Sequence, residues 1–291
     1  MANPRRRLPG NATGEWFVDD SCMGCDASRQ CAPGLIEERD GLSLVVKQPE
    51  SDEDRRAMSR ALLACPTGSI GSGREPVQVD VFPHRLDEGI WLTGYNSPRA
   101  YGGNSFFVGR PEGNLLVDGP RFTKHLTKAF ERLGGVQHVL LTHRDDLGDA
   151  AEYAKAFGAR VWIHETEASS APFATDLISG DAAVELLPGV VALPVPGHTR
   201  GSVMFEVQGR FLFTGDSLFW SRELQTLHAH RKQCWFSWEA QTRSLATLKG
   251  RTFEWVLAGH GGRAHRPAPE LQRHLDDLLR RMPMNDWRDA W

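Results

Sequence analysis

The sequence predicts an α/β protein in two parts: a small α+β unit, then a larger domain of two β-sheets sandwiched by helices. Three observations carry this. Four of the five cysteines, Cys22, Cys25, Cys31 and Cys65, fall in the first quarter of the 291 residues, while Cys234 stands alone. From residue 77 onward, strands joined by tight turns give way to strands alternating with helices, and the succession occurs twice. A histidine or aspartate stands just beyond four of the apolar strands. The expected boundaries are a disordered tail over 1–13, a cysteine-bearing unit over 14–72 and the sandwich over 77–291.

The composition, 40% hydrophobic and 24% charged, suits a protein with a sizeable core. A net charge of −3 offers no basic field for nucleic acid, which is therefore not an expected partner. The opening "MANPRRRLPGNATG" is basic but has no apolar run behind it, so neither a signal peptide nor a membrane span is expected. The expected setting is cytoplasmic and reducing, where cysteines serve metal or redox chemistry more than disulfides.

In the first part a short strand is expected over 15–18, and the alternating, β-branched "GLSLVVKQ" predicts another over 41–48. "SDEDRRAMSRALLAC" predicts a helix: Ser51 caps it, Glu53 and Asp54 sit in its positive first turn, and Met58, Leu62 and Leu63 recur at helical spacing. The helix runs into Cys65-Pro66. Thiolates at C-x2-C spacing can grip one iron or zinc, and a distant Cys-Pro closes the cage. This pattern resembles the single-cluster bacterial ferredoxins over 14–72, in which the loop reads C-x2-C-x2-C. Here the third place is Ser28, and a thiol reappears three residues later as Cys31. The resemblance implies an iron–sulfur cluster on Cys22, Cys25, Cys31 and Cys65. It is a [4Fe–4S] centre if Cys31 reaches it, and a labile or [3Fe–4S] centre if Cys31 is badly placed. The alternatives are a zinc cage and cysteines buried without a shared ligand.

In the second part strands are expected over 77–82, 89–95, 104–109 and 114–119, with "RPEG" turning the last two into a hairpin. A helix over 123–133, ended by Gly134-Gly135, leads to a strand over 138–142, a second helix and the strand of "ARVWIHE". Then come strands in "VVALPV", "SVMFEV" and "RFLFTGD", a helix over 238–248, a strand in "FEWVLAGHGG" and a last helix over 268–280. His143, His198, Asp216 and His260 each follow such a strand beside or near glycine, where the chain can turn sharply and aim side chains into one cleft.

The ordered motifs "NSFFV…NLLVDG", "LLTH", "PGHTRGS", "FTGD" and "AGHG" resemble the metallo-β-lactamase fold superfamily over 77–282. The resemblance implies an αββα sandwich with one or two metal ions at its rim. His198 and His260 would be ligands and Asp216 the carboxylate between two metals. The family's first motif, H-x-H-x-D-H, is altered here to "HRDDLG". In one register Asp145 replaces the second histidine, with Leu147 and Gly148 in the Asp and His places. In the favoured register two loop residues are missing and Asp145-Asp146 fill those places. Metal one then has His143, His198 and Asp216; metal two has Asp216, His260 and one or both of Asp145 and Asp146. Asp146 also suits a helix N-cap with Asp149 at N3. Such an oxygen-rich site suits iron ahead of zinc or manganese.

The long loop over 217–236 follows Asp216 and should overhang the cleft. Arg222 and Arg231 could clamp a carboxylate or phosphate there, with His228 and His230 beside them. The expected function is redox chemistry on a small molecule at the cleft metal. The cluster would relay electrons from an external donor protein, with Asp145 or Asp146 handling protons. The alternative is hydrolysis of a small ester, amide or thioester with the cluster structural. A third reading is a non-catalytic redox or metal sensor.

Overall fold

The computed structural model describes residues 2–284 and 287–290. A small α+β domain precedes a larger two-sheet domain. In the first, the antiparallel pair Ile36–Arg39 and Leu42–Val45 packs beside the helix Asp52–Ala64, and Phe17–Val18 pairs with Ile70–Gly71. Ser51 caps the long helix in a capping box with Asp54, which satisfies orphan backbone donors at its start. The expected disordered tail over 1–13 is corrected. Asn11 accepts from the backbone N–H of both Val18 and Val45, and Arg7 forms a bridge with Asp19. The polar segment is held because it satisfies edge groups of the small sheet that would otherwise lack partners.

The larger domain has a seven-stranded and a six-stranded sheet face to face. In the first sheet the antiparallel strands Phe106–Val108 and Leu115–Val117 lie next to the parallel strands His138–Leu140 and Arg160–His164. Residues alternate between two cores, as the pleat requires. Phe106, Val108, Leu115 and Val117 meet Phe205, Phe211 and Phe213 of the second sheet. Phe107, Leu116 and Val139 face outward onto Leu126 and Phe130 of the helix Lys124–Arg132 and Tyr153 of the helix Ala150–Phe157. The second sheet does the same: Met204, Leu212 and Val256 pack under Leu245, Leu271 and Leu275 of the helices Trp238–Ala246 and Ala268–Arg281. Burial on both faces explains why these strands read as unbroken apolar runs. The layers are therefore αββα, as expected.

Three local expectations change. Residues 77–82 contain the 3-10 turn Val79–Val81 rather than a strand, because the segment packs on the helix Asp52–Ala64, where Val81 is buried and the Gln78 N–H donates to Ser59 Oγ. The loop over 217–236 contains a hairpin of Phe219–Ser221 with Thr226–His228. The sheet-edge strands His84–Asp87, Asp176–Ile178 and Val184–Leu187 add to the expected set. Among the described residues, no helix is long and apolar enough to cross a membrane.

Candidate metal centre

The four ligand-bearing loops converge at one rim. Ring nitrogens of His143 and His198 and a carboxylate oxygen of Asp216 lie within 4.8 Å of one another, and so do donors from Asp146, Asp216 and His260. The two sets share Asp216. His143 Nε2 and His198 Nε2 each stand 3.7 Å from Asp216 Oδ2, and His260 Nε2 stands 3.7 Å from Asp146 Oδ1. His143 Nε2, His198 Nε2, Asp146 Oδ2 and Asp216 Oδ1 are buried with no hydrogen-bond partner among the described residues. Unsatisfied buried polar atoms are costly, and these point into the common space. The donors fit a pair of metal ions.

The outer nitrogens are already committed. His143 Nδ1 lies 3.0 Å from Thr142 Oγ1, whose hydroxyl contacts both oxygens of buried Asp118. His198 Nδ1 faces the carbonyl oxygen of Gln233 at 2.5 Å. A proton on His198 Nδ1 would leave the Nε2 lone pair free for a metal. Glu167, 1% exposed, accepts from the backbone N–H of Arg144 and Gly201 and so ties the His143 loop to the His198 loop. Asp118, Thr142 and Glu167 are supporting residues the sequence reading missed. The strand-end "NLLVDG" marks Asp118, but its pairing with Thr142 is a contact between neighbouring strands that no local pattern reveals.

Charge follows the geometry. Burial works against the charged form of His260, but Asp216 and Asp146 overcome it and raise the pKa to about 10. Burial likewise opposes ionisation of Asp216, yet His260, His143 and His198 carry its pKa down to about 2. Asp118 lies well above the usual carboxylate range because it is buried and faces the charge of Asp146.

In the altered first motif the donors group in one of the ways the favoured register allows, with Asp146 alone beside Asp216 and His260. Asp145 projects toward His198, 3.5 Å away, while Asp146 joins His260 and Asp216. Adjacent carboxylates thus diverge to opposite halves of the centre. Asp146 is not the helix N-cap; Asp149 occupies that position. A cavity of about 710 Å³ opens above the centre, lined among others by Arg99, Tyr101, Arg144, Asp145, His230 and Trp235. Of the four residues expected to meet substrate, only His230 lines it. Arg222 pairs instead with buried Asp26 across the domain boundary, His228 Nε2 contacts the Arg288 carbonyl, and Arg231 sits over the Trp238 ring.

The first domain presents a second site. Cys22, Cys25 and Cys65 line one cavity together with Ser28. The Ser69 N–H donates to Cys65 Sγ at 3.3 Å, and the hydroxyls of Ser69 and Thr67 lie at 3.2 and 3.6 Å. Convergent thiols with N–H and hydroxyl groups at a sulfur suit an iron–sulfur cluster. Cys31 lies outside that lining, in the adjoining core that Cys65 also borders.

A single short loop separates the two centres. A Cβ on Gly102 would lie 2.9 Å from Cys25 Sγ, and one on Gly103 would lie 2.8 Å from Asp146 Oδ2. Between them Tyr101 packs 6.1 Å from the His260 ring and donates its hydroxyl to the Met23 carbonyl at 2.6 Å.

Two facing sheets with helices outside and a histidine–aspartate cluster at the rim define a class of metal-dependent sandwich enzymes. The chain belongs to the metallo-beta-lactamase superfamily, whose family profile matches residues 83–275. Residues 18–72 match the 4Fe-4S single cluster domain of ferredoxin I, so a ferredoxin-like domain is fused to the sandwich. Among solved structures, the metallo-β-lactamase TMB-1 superposes with a TM-score of 0.53 at 16% identity, covering 69% of this chain and 97% of that one. DIM-1 gives 0.52 at 18% identity, covering 68% and 95%. At these identities the likeness is one of fold. Two curated relatives are named hydroxyacylglutathione hydrolase. The protein from Fuscovulum blasticum is 36% identical over 149 residues, 50% of this chain and 56% of its own length. That from Anaeromyxobacter dehalogenans is 48% identical over 82 residues, 27% of this chain and 31% of its own. The chain thus spans about a third to just over half of the relatives it matches. Both are hydrolases, which overturns the expectation of redox chemistry at the cleft with electrons relayed by the cluster.

Proposed function

We propose that this protein is a metal-dependent hydrolase of a small-molecule thioester, with an iron–sulfur cluster in its first domain that takes no electrons to or from the substrate. The observation that carries the reading is the pair of donor sets joined at Asp216, with buried ligand atoms lacking partners. The two hydrolase relatives support the reaction class.

His143, His198 and Asp216 would hold one ion, and Asp146, Asp216 and His260 the other; imidazole and carboxylate together suit zinc, iron or manganese. Such ions polarise a carbonyl and lower the pKa of a bound water toward ~7. The protein's own residues do the rest. Asp145 is half-exposed on the cleft side, and its carboxylate orients the attacking water and takes its proton. Water oxygen adds to the acyl carbon, the C–S bond breaks, and that proton leaves with the thiol. Arg144, half-exposed at the mouth, offers a guanidinium to a carboxylate on the thiol portion. Trp235, 61% exposed, gives the mouth an apolar wall.

The test is thiol release from a hydroxyacylglutathione by protein purified without oxygen and loaded in turn with zinc, iron and manganese. Release with at least one metal is expected, abolished in Asp216→Ala. In Asp145→Asn, kcat should fall by about 10²-fold or more with cleft metal content unchanged. Absence of release with every metal would refute the proposal.

A further inference from the structure

The cysteine site departs from a four-thiolate cage in a way that the fold makes specific. Asp26 caps the short helix Ala27–Cys31 with a left-handed backbone conformation (φ 68°), which turns the chain sharply after Cys25. Ser28 falls in the first turn of that helix and lines the cavity with Cys22, Cys25 and Cys65. Cys31 lies at the far end of the helix, one turn further along the axis. It is buried in the apolar core, and its charged neighbours are Arg263, Arg60, Asp26 and Arg222. Cys25, by contrast, faces the same cavity as Cys65 and Cys22.

The helix has little freedom to shift Cys31 toward the cavity. Arg29 bonds to Asp26 at 2.7 Å and to Ser43 Oγ at 3.1 Å, and both arginine and aspartate are almost wholly buried. Arg222 of the larger domain grips the same Asp26 carboxylate. Ser28 and Cys31, three residues apart, share one helix face, so Cys31 could reach the cavity only if the helix slid about a turn along its axis, which would break these buried charge contacts. Ser28 is also within 3.3 Å of Ser43 Oγ, so the corner nearest the helix is lined by hydroxyls.

We propose that the cluster is held by three thiolates, Cys22, Cys25 and Cys65, that Ser28 stands at its fourth corner, and that Cys31 is not a ligand. The resting cluster is a three-iron centre, because a neutral serine hydroxyl is a poor substitute for a thiolate at the fourth iron. The inference rests on the cluster assigned to the first domain and is independent of the chemistry in the cleft.

The experiment compares full-length wild type, Ser28→Cys and Cys31→Ala, each reconstituted anaerobically with iron and sulfide. It reads iron per chain and the EPR spectrum of the oxidised state. Wild type should show the paramagnetic signal of an oxidised three-iron centre. Cys31→Ala should retain the wild-type iron content and signal. Ser28→Cys should lose the signal and gain iron, because a fourth thiolate completes a four-iron cube that is diamagnetic in the corresponding state. An unchanged spectrum in Ser28→Cys would overturn the proposal, whatever happens to folding in Cys31→Ala. So would a four-iron wild type that loses its cluster in Cys31→Ala. Failure of the wild type to take up any sulfide would overturn the cluster itself, and thiol release in the cleft would be unaffected as evidence.

Discussion

Replacing Gly103 with alanine should weaken one half of the metal centre and spare the other. The new methyl would stand 2.8 Å from Asp146 Oδ2 and 2.9 Å from Oδ1, inside ordinary contact distance. Asp146 has little space to retreat, because it is 2% exposed and Gly259 closes on it from elsewhere: a Cβ there would lie 2.7 Å from the same Oδ2. The glycine itself has no positive φ, so the cost is steric rather than conformational. Overpacking of this kind costs about 1–3 kcal/mol. If the carboxylate yields, that cost falls on the set formed by Asp146, Asp216 and His260, and ~1.4 kcal/mol corresponds to tenfold. The second ion should therefore bind about 5- to 150-fold more weakly, while the set containing His143 and His198 keeps its affinity. Competition titration against a chelator resolves the two affinities, with near-UV circular dichroism to verify the fold. Equal weakening of both ions, or of neither, would refute this account of how the loop meets the centre.

Two further outcomes are expected. Thr142→Val removes the hydroxyl between Asp118 and His143 Nδ1 and should lower metal affinity or kcat/KM by about 10- to 100-fold, with the KM of the thioester little changed. His228 is buried against Trp287, and burial lowers its pKa from 6.5 to about 4. The unfolded chain then binds the extra proton, so stability is full above pH 6.5 and lost as pH falls toward 4, by at most about 1.4 kcal/mol per unit. Urea midpoints measured across that window should fall more steeply in wild type than in His228→Gln; parallel curves would contradict the burial argument.

Much of the architecture was legible because it is written in local chemistry. The Ser51 cap, the doubly buried apolar strands and the glycine-flanked histidines each declare themselves within a few residues. His143, His198, Asp216 and His260 do meet, since strand exits on facing sheets share one rim. What stayed hidden depends on distant partners. Asp145 and Asp146 reach opposite halves of the centre, a division that the spacing of the motif leaves open. Arg222 sits in a loop that reads as a substrate clamp, but Asp26, 196 positions away, holds it. Cys31 sat at a plausible spacing, but a helix between it and Cys25 carries it away from the cavity. The strands Asp176–Ile178 and Val184–Leu187 are hard to read because they are short and lie at open sheet edges, where the apolar Leu177 and Val184 face solvent and blur the usual inside–outside pattern.

Gly102 and Gly103 give the two domains a party wall one backbone thick. Cys25 presses on one side and Asp146 on the other, while Gly24 of the first domain lines the cleft itself. The cleft is consequently not a property of residues 77–291 alone: a chain begun at residue 77 would lack Gly24, the Met23 carbonyl that holds Tyr101, and the support behind Gly102. Nor could the wall admit an inserted residue without parting Asp146 from its neighbours or Cys25 from its cavity. The fusion is thus a joint construction, and its halves are constrained to change together along that seam.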